Sequence, residues 1–451
     1  FGRIVAMMQF NMYHHYTVDE HLVRCIGVLS EIEAGRLGGE HPLANRIIHT
    51  IQNRRALYLA LFLHDIAKGR PEDHSLAGAA IARKLGPRLG LDAAETDTAA
   101  WLIEHHLAMS TTAQSRDLSD PTTIKSFAAI VQTIERLKLL LVLTVADIKA
   151  VGPGVWTGWK GELLRTLYYE TEVELGGGAA DVARSDRVRF AQERLRRELQ
   201  DWPPDVFESY AARHYPAYWL KVEEARRVKH ARFVRASEEG GRTVATEVET
   251  DRFRGVTELT VLSPDHPRLL AIITGACAAS GGNIVDAQIF TTSDGLALDS
   301  IVISRAFDRD EDELRRAERV ASAIERALKG EVKIADLVDG KRPGKERSRT
   351  FHVAPEVAID NALSNRQTVI EVSGLDRPGL LYDLTTVLGK LNLNIASAHI
   401  ATFGEKAVDV FYVTDLTGTK VTHPSRQAAI RRALLDVFEG EDGDGIHRRS
   451  A

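Results

Sequence analysis

Apolar positions recur at helical spacing from residue 1 to about residue 235 and give way to strand-like alternation beyond it. Glycine and proline cluster between the apolar runs of the first part, which predicts a domain built of helices. The most apolar run is Leu57-Tyr58-Leu59-Ala60-Leu61-Phe62-Leu63-His64-Asp65-Ile66-Ala67-Lys68. It is apolar on nearly every side for two turns, as an interior helix is. Trp101 to Leu107 and Glu135 to Ala150 predict two further apolar helices, and Asp186 to Leu199 a charged amphipathic one with a solvated face. Thr17 and Glu20 have capping-box spacing, which places His21 in the first turn of a helix running through Leu22, Val23, Ile26 and Leu29. His74 opens another helix, whose small residues Gly78, Ala79 and Ala80 allow close packing.

Between Arg226 and Arg254 the chain turns polar, and Val244 to Val248 alternates as a strand does. The remainder contains an internal repeat. Thr257 to Leu270 matches Gln367 to Leu381, with Pro267 answering Pro378 and Asn283-Ile284 answering Asn394-Ile395, both at an offset of 111 residues. Asp299 answers Asp409 after a one-residue slip. Each copy reads as strand, turn, helix, strand, hairpin, strand and a second helix, the last being Glu311 to Leu328 and Pro424 to Glu439. Lys341 to Arg349 reads as a loop between the copies. A length of 451 residues suits about three domains. The expected ones are a helical domain over 1–235 with its core at about 15–150, a first α+β domain over 236–340 and a second over 341–451.

Polar residues inside the apolar helices carry the candidate chemistry. A buried, unpaired carboxylate costs several kcal/mol and ordinarily gains a proton or a cation. His21, His64, Asp65, His74, His105, His106 and Asp147 are seven ligand-type residues, and at least four interrupt apolar helices. Several such intrusions on separate helices are best explained by a shared cation. Imidazole and carboxylate without thiolate suit Mg, Mn or Fe rather than structural zinc. Seven ligands exceed the needs of one ion, so two are plausible. Lys68 can hold a phosphate oxygen or pair with Asp65. His14 and His15 read as supporting or structural, Trp156 and Trp159 as core, and Gly176-Gly177-Gly178 as a loop break without the lysine of a phosphate cradle.

The totals exclude some alternatives. At 44% hydrophobic and 27% charged residues the composition is that of a globular protein. A net charge of -5 without a long basic stripe argues against nucleic acid as the main partner. No apolar stretch approaches the ~18 residues of a membrane span. Cys25 and Cys277 lie far apart, which excludes a disulfide framework and fits a reducing, cytoplasmic setting. The chain opens on Phe1 without a methionine or signal peptide and reads as a piece of a longer protein.

His21, His64-Asp65 and Asp147 resemble, in order, the metal ligands of the HD phosphohydrolase superfamily. His74 with Gly78-Ala79, and His105-His106, resemble the longer ligand set of its two-metal members. Asp-x-Pro-Gly-Leu-Leu after a strand, then Asn-Ile after the helix, resembles the ACT domain, a βαββαβ fold that commonly binds amino acids. That pattern implies an effector site at Asp376, Arg377, Pro378, Gly379, Leu380, Asn394 and Ile395, and a weaker one at Asp265, His266, Asn283 and Ile284, where Arg268 replaces the glycine. An HD domain with two ACT domains resembles the bifunctional PII uridylyltransferase/uridylyl-removing family, with the N-terminal nucleotidyltransferase domain missing from the sequence. The local matches include Tyr16 to His21, Leu63 to Gly69, Thr112 to Pro121, Ala146-Asp147-Ile148 and Asp376 to Leu380.

The resemblance implies metal-dependent removal of UMP from uridylyl-tyrosine on the PII signalling protein, with glutamine as effector. It places His21, His64, Asp65 and Asp147 on a first ion, His74, His105 and His106 on a second, and Asp65 and Lys68 in catalysis. It implies no nucleic-acid or membrane partner and allows self-association through the ACT domains. Two other readings share these domains: a (p)ppGpp-type nucleotide phosphohydrolase, and a catalytically idle glutamine-sensing module.

Overall fold

The computed structural model describes residues 1–8, 15–176, 184–266, 268–339, 353–403 and 405–439. His14, Gly177, Gly178, Pro267 and the stretch Lys341 to Arg349 lie outside them. The chain divides into two compact units, Phe1–Ala180 and Asp181–Ala451.

The first unit is helical. Its helices are α1 (Val18–Glu33), α2 (Pro42–Ile47), α3 (Arg54–Leu63), α4 (His74–Leu85), α5 (Ala93–Glu104), α6 (Ala108–Ser115), α7 (Pro121–Val131), α8 (Ile134–Val151) and α9 (Gly158–Leu175). α8 is the centre. Its residues Leu137 and Leu139 to Ala146 are all buried, and it packs against α1, α3, α5 and α9. Each fully buried leucine there contributes about 1.5–3 kcal/mol.

Two local expectations change. The apolar run at 57–68 is not one helix: α3 ends at Leu63, and His64 and Asp65 lie beyond it. The His64 ring donates from Nδ1 to the Leu61 carbonyl (2.9 Å), and the Ile66 and Lys68 amides bond three residues back, so the chain tightens into turns. At α1, Thr17 makes no side-chain cap. Asp19 instead accepts from the Ala6 amide at 3.1 Å.

The second unit opens with helices α10 (Arg184–Glu198), α11 (Pro204–Arg213), α12 (Pro216–Lys221) and α13 (Glu224–Glu239). It continues as β1 (Ala245–Asp251), β2 (Val256–Pro264), α14 (Leu269–Ser280), β3 (Ile284–Gln288), β4 (Leu296–Ser304), α15 (Asp310–Leu328) and α16 (Ile334–Asp339). The second copy supplies β5 (Glu356–Asp360), β6 (Thr368–Leu375), α17 (Leu380–Lys390), β7 (Leu393–Phe403), β8 (Lys406–Asp415) and α18 (Pro424–Glu439). Among the described residues the strands form one antiparallel sheet in the order β1-β2-β4-β3-β7-β8-β6-β5. Each half has its outer strand first in the chain, as the near arm of a hairpin, so the order is ββαββα.

The copies join where their equivalent positions meet. Ala287 on β3 lies opposite Ala398 on β7. On the helix layer, the hydroxyls of Thr274 and Thr385 are 3.0 Å apart, and these residues are separated by the repeat offset of 111. Self-pairing of equivalent positions is the mark of an approximate two-fold axis, here within one chain.

α14 and α17 approach closely because Gly275 has no side chain. A Cβ there would lie 2.2 Å from Ile334 Cγ2 and 2.8 Å from the Tyr382 ring. Glycine to alanine in an exposed helix ordinarily stabilises by ~0.5–1 kcal/mol. Here overpacking wins, and Gly275→Ala is expected to lower stability by about 1–3 kcal/mol, read as a drop in the urea midpoint of unfolding.

Candidate metal centre and ligand pocket

Six of the seven expected ligands converge in the helical unit. α1 carries His21, the turn after α3 carries His64 and Asp65, and α8 carries Asp147. His74 begins α4, whose N-cap Asp73 accepts from the Ser75 and Leu76 amides at 2.9 and 3.0 Å. His106 follows α5 and donates from Nδ1 to the Ile103 carbonyl at 2.7 Å. Gly78 lets α4 press on this turn, since a Cβ there would meet Ile103 at 2.9 Å and the His64 carbonyl at 3.5 Å.

The ligand atoms form two groups: His21, Cys25, His64 and Asp147, and Asp65, His74 and His106. Asp65 faces both. Its Oδ2 lies 3.5 Å from His64 Nε2 and 4.0 Å from His21 Nε2, and its Oδ1 lies 3.8 Å from Nε2 of both His74 and His106. Asp147 Oδ1 is 3.0 Å from His21 Nε2 and 3.5 Å from His64 Nε2. With Nδ1 committed to backbone carbonyls, His64 and His106 present Nε2 to the carboxylates, the orientation expected of metal-binding imidazoles.

Burial would raise both carboxyls, but the neighbouring groups dominate. His64, Lys68 and His106 hold Asp65 well below the usual carboxylate range, and His64 and His21 do the same for Asp147. Burial pulls His64 down, yet Asp65 and Asp147 outweigh it and push it up to about 8. Burial and the His64 charge hold His106 near 4. The Lys68 ammonium sits 2.6 Å from Asp65 Oδ2. The His64 Nε2 and Asp65 Oδ1 atoms are buried without a hydrogen bond among the described residues. Such atoms suit a divalent cation, and the donor set fits one.

His105 is not brought to the centre. It caps α5 with its ring 5.0 Å from Trp101, because successive side chains at a helix end diverge by about 100°. Cys25 is the residue the sequence reading missed. One turn after His21, its Sγ lies 3.5 Å from His21 Nε2. Burial and Asp147 push its thiol well up, so it stands there as a neutral group. Its spacing of four from His21 was the available signal. His15 lies in neither group. Trp156 packs on His41 at 4.3 Å, and Lys160 donates to the Val155 carbonyl at 2.8 Å, a structural use of both.

The second unit holds a cavity of 370 Å³. Its lining joins Asn283 and Ile284 of the first copy to the turn Asp376 to Leu380 of the second. The sequence pattern pairs each turn with the Asn-Ile of its own copy. The two-fold arrangement crosses them instead, and Asn394 and Ile395 do not line this cavity. Asn394 donates weakly to the Asp415 carbonyl at 3.5 Å. The turns also differ in backbone. Gly379 has φ +83°, which favours glycine, whereas Arg268 has φ -104°. Asp265 accepts from Thr291 at 2.8 Å, and His266 Nδ1 accepts from the Arg268 amide at 3.3 Å.

Family comparisons bear on both sites. The HD domain matches residues 18–148, a span holding every member of both ligand groups, and the ACR family N-terminal ACT domain matches residues 363–441. The bifunctional uridylyltransferase/uridylyl-removing enzyme of Bradyrhizobium sp. (strain BTAi1) is 60% identical over 98% of this chain. That of Nitrobacter winogradskyi is 60% identical over 97%, and that of Bradyrhizobium diazoefficiens 59% over 98%. The chain aligns with the C-terminal part of these enzymes. It spans about half the length of the curated relatives it matches, 47–48% of each. An HD domain is thus followed by a region of ACT type, and the His/Asp groups of the HD domain could hold metal. No helix among the described residues is long and apolar enough to cross a membrane.

A cation that binds only the folded HD domain raises its stability by about 2.7 kcal/mol at a hundredfold excess over Kd. Mn²⁺ is therefore expected to raise the melting temperature of the chain by several degrees and EDTA to reverse the shift. His64→Ala and Asp147→Ala should abolish the Mn²⁺ shift, and His105→Ala should keep it.

Proposed function

We propose that this chain is a metal-dependent phosphodiesterase that releases UMP from uridylyl-tyrosine on the PII signalling protein. The observation that carries the reading is the placing of Asp65 between two ligand groups with the Lys68 ammonium on the same carboxylate. His21, His64 and Asp147 would hold one ion, His74 and His106 a second, and Asp65 both. Mg or Mn suits the imidazole and carboxylate donors. A bound divalent ion supplies Lewis-acid activation of water and phosphoryl oxygen. Lys68, with its side chain 17% exposed, can reach a phosphoryl oxygen and offset the charge that builds there. The leaving group is a phenol of pKa about 10, which departs as a phenolate more readily than an aliphatic alkoxide would. The site therefore needs charge stabilisation more than a strong general acid.

The relatives' name includes the uridylyl-removing activity, which agrees with this reading. The longer enzymes would also attach UMP to PII from UTP. The ACT pair would bind glutamine in the cross-copy cavity and favour removal, with a coupling of roughly 1–3 kcal/mol. Self-association through the ACT region and a cytoplasmic location belong to the same proposal.

The test is UMP release from uridylylated PII by this chain, with Mn²⁺ or Mg²⁺ and with or without glutamine. Metal-dependent release that glutamine increases is expected, and Asp65→Asn should slow it by a factor on the order of 10²–10³. Binding of PII without release under either metal would replace the enzyme by an idle sensing module. Release indifferent to glutamine would remove the regulatory half of the proposal.

A further inference from the structure

The cross-copy cavity contains a carboxylate to which no role has been assigned. Asp409 lies on β8 between Val372 of β6 and Ile400 of β7, lines the cavity, and is 2% exposed. Its Oδ1 has no hydrogen bond among the described residues. Asp376 lines the same cavity and accepts from Thr402 at a long 3.5 Å and from the Arg377 backbone amide. Arg377, beside it, is engaged by Asp383 at 2.7 Å and the Val437 carbonyl at 3.3 Å. Burial and the Asp376 charge push the Asp409 carboxyl up to about 8, the response of two carboxylates facing one space. A small cation between them would relieve the burial of both.

The rest of the cavity has the opposite polarity. Gly379 and Leu380 bring the N-terminus of α17 to its wall, where backbone N–H groups and the helix dipole favour an anion. A pocket with an acidic side and an anion-attracting side matches the zwitterionic head of a free amino acid.

We propose that Asp409, together with Asp376, receives the α-ammonium group of the bound amino acid, while the first turn of α17 receives its α-carboxylate. This rests on the reading of the cavity as the effector site and adds the residue that selects for a free amino group. Asp299, the counterpart in the first copy, is also buried and without hydrogen bonds among the described residues. Its own turn carries Arg268 at φ -104° in place of Gly379 at φ +83°, so the first copy lacks the left-handed glycine that opens the second copy's turn.

The experiment is titration calorimetry of the whole chain with L-glutamine and with glutaramic acid, which is glutamine without its amino group. Wild type, Asp409→Asn and Asp299→Asn are compared, with thermal melts verifying that each is folded. Asp409→Asn should weaken glutamine binding roughly ten- to a hundredfold, as loss of a charged hydrogen bond does. Glutaramic acid should bind wild type and Asp409→Asn equally weakly, and Asp299→Asn should bind glutamine as wild type does. Unchanged glutamine binding by folded Asp409→Asn overturns the assignment, as does a loss carried by Asp299→Asn instead. If wild type does not bind glutamine, the same titration is run with the other common L-amino acids. One that binds and is weakened by Asp409→Asn upholds the ammonium receptor and overturns glutamine as the effector. Binding of none overturns both.

Discussion

Burial of a carboxylate among apolar side chains is the constraint on which both units turn. Desolvation disfavours the charged form, and nearby positive charge, a cation or donated hydrogen bonds reverse that. In the HD domain the reversal is built in: four imidazoles and an ammonium surround Asp65, and both Asp65 and Asp147 stay ionised despite their depth. The helices serve that arrangement. α8 supplies an apolar axis that can carry Asp147, α3 stops in time to present His64 and Asp65 on turns, and α4 is drawn close because Gly78 leaves room. In the sheet unit Asp299 and Asp409 lie as deep, and their carboxyls are pushed up rather than down. The difference between the two kinds of site is the positive charge around the acid.

Most of the candidate metal centre was legible because its members break an apolar pattern. A histidine or aspartate directly after a run such as Leu57 to Leu63 or Leu139 to Ala146 is conspicuous, and six of the expected ligand-type residues do meet. What sequence periodicity could not supply was direction. His105 and His106 are equally conspicuous, but the end of α5 sends one ring to Trp101 and the other to the centre. Cys25 escaped attention for the opposite reason, since a cysteine on the buried face of α1 looks like ordinary core. The helix boundary at Leu63 was hidden because the His64 ring supplies the stop by bonding the Leu61 carbonyl, where a glycine would normally mark the end.

The repeat was legible as a repeat, but its consequence was not. Two copies in one chain suggest two self-contained sites. Meeting about a two-fold axis, marked by Thr274 with Thr385 and Ala287 with Ala398, they exchange walls, so the turn of the second copy faces the Asn-Ile of the first. Some equivalences hold under strong backbone demand. Gly281 and Asn392 occupy the same place after their helices and share a left-handed conformation, φ +78° and +55°. Others have diverged where a ligand would notice: Gly379 against Arg268, and Gly281-Gly282 against Asn392-Leu393. The small residues all fall on one cavity, which gives the symmetric frame an asymmetric use.

The same asymmetry explains why the first copy retains a demanding buried network although its own turn is altered. Arg316 on α15 donates to the Gly281 carbonyl at 2.8 Å and to the Ser304 carbonyl at 2.7 Å, and it pairs with Glu313. Glu313 in turn accepts from Thr257 at 2.8 Å and from the Ala306 and Phe307 amides at 3.0 and 3.1 Å. A buried ion pair is weak evidence for stability, since apolar residues of similar volume often do as well. Its many directional hydrogen bonds, which leave Arg316 Nε as a buried donor without a partner among the described residues, are better suited to fixing position. What it fixes is the backbone at Gly281, and Gly281, Gly282 and Asn283 are the first copy's side of the cavity. The first copy thus contributes one wall of the cavity and the second the glycine turn, so neither copy alone contains it.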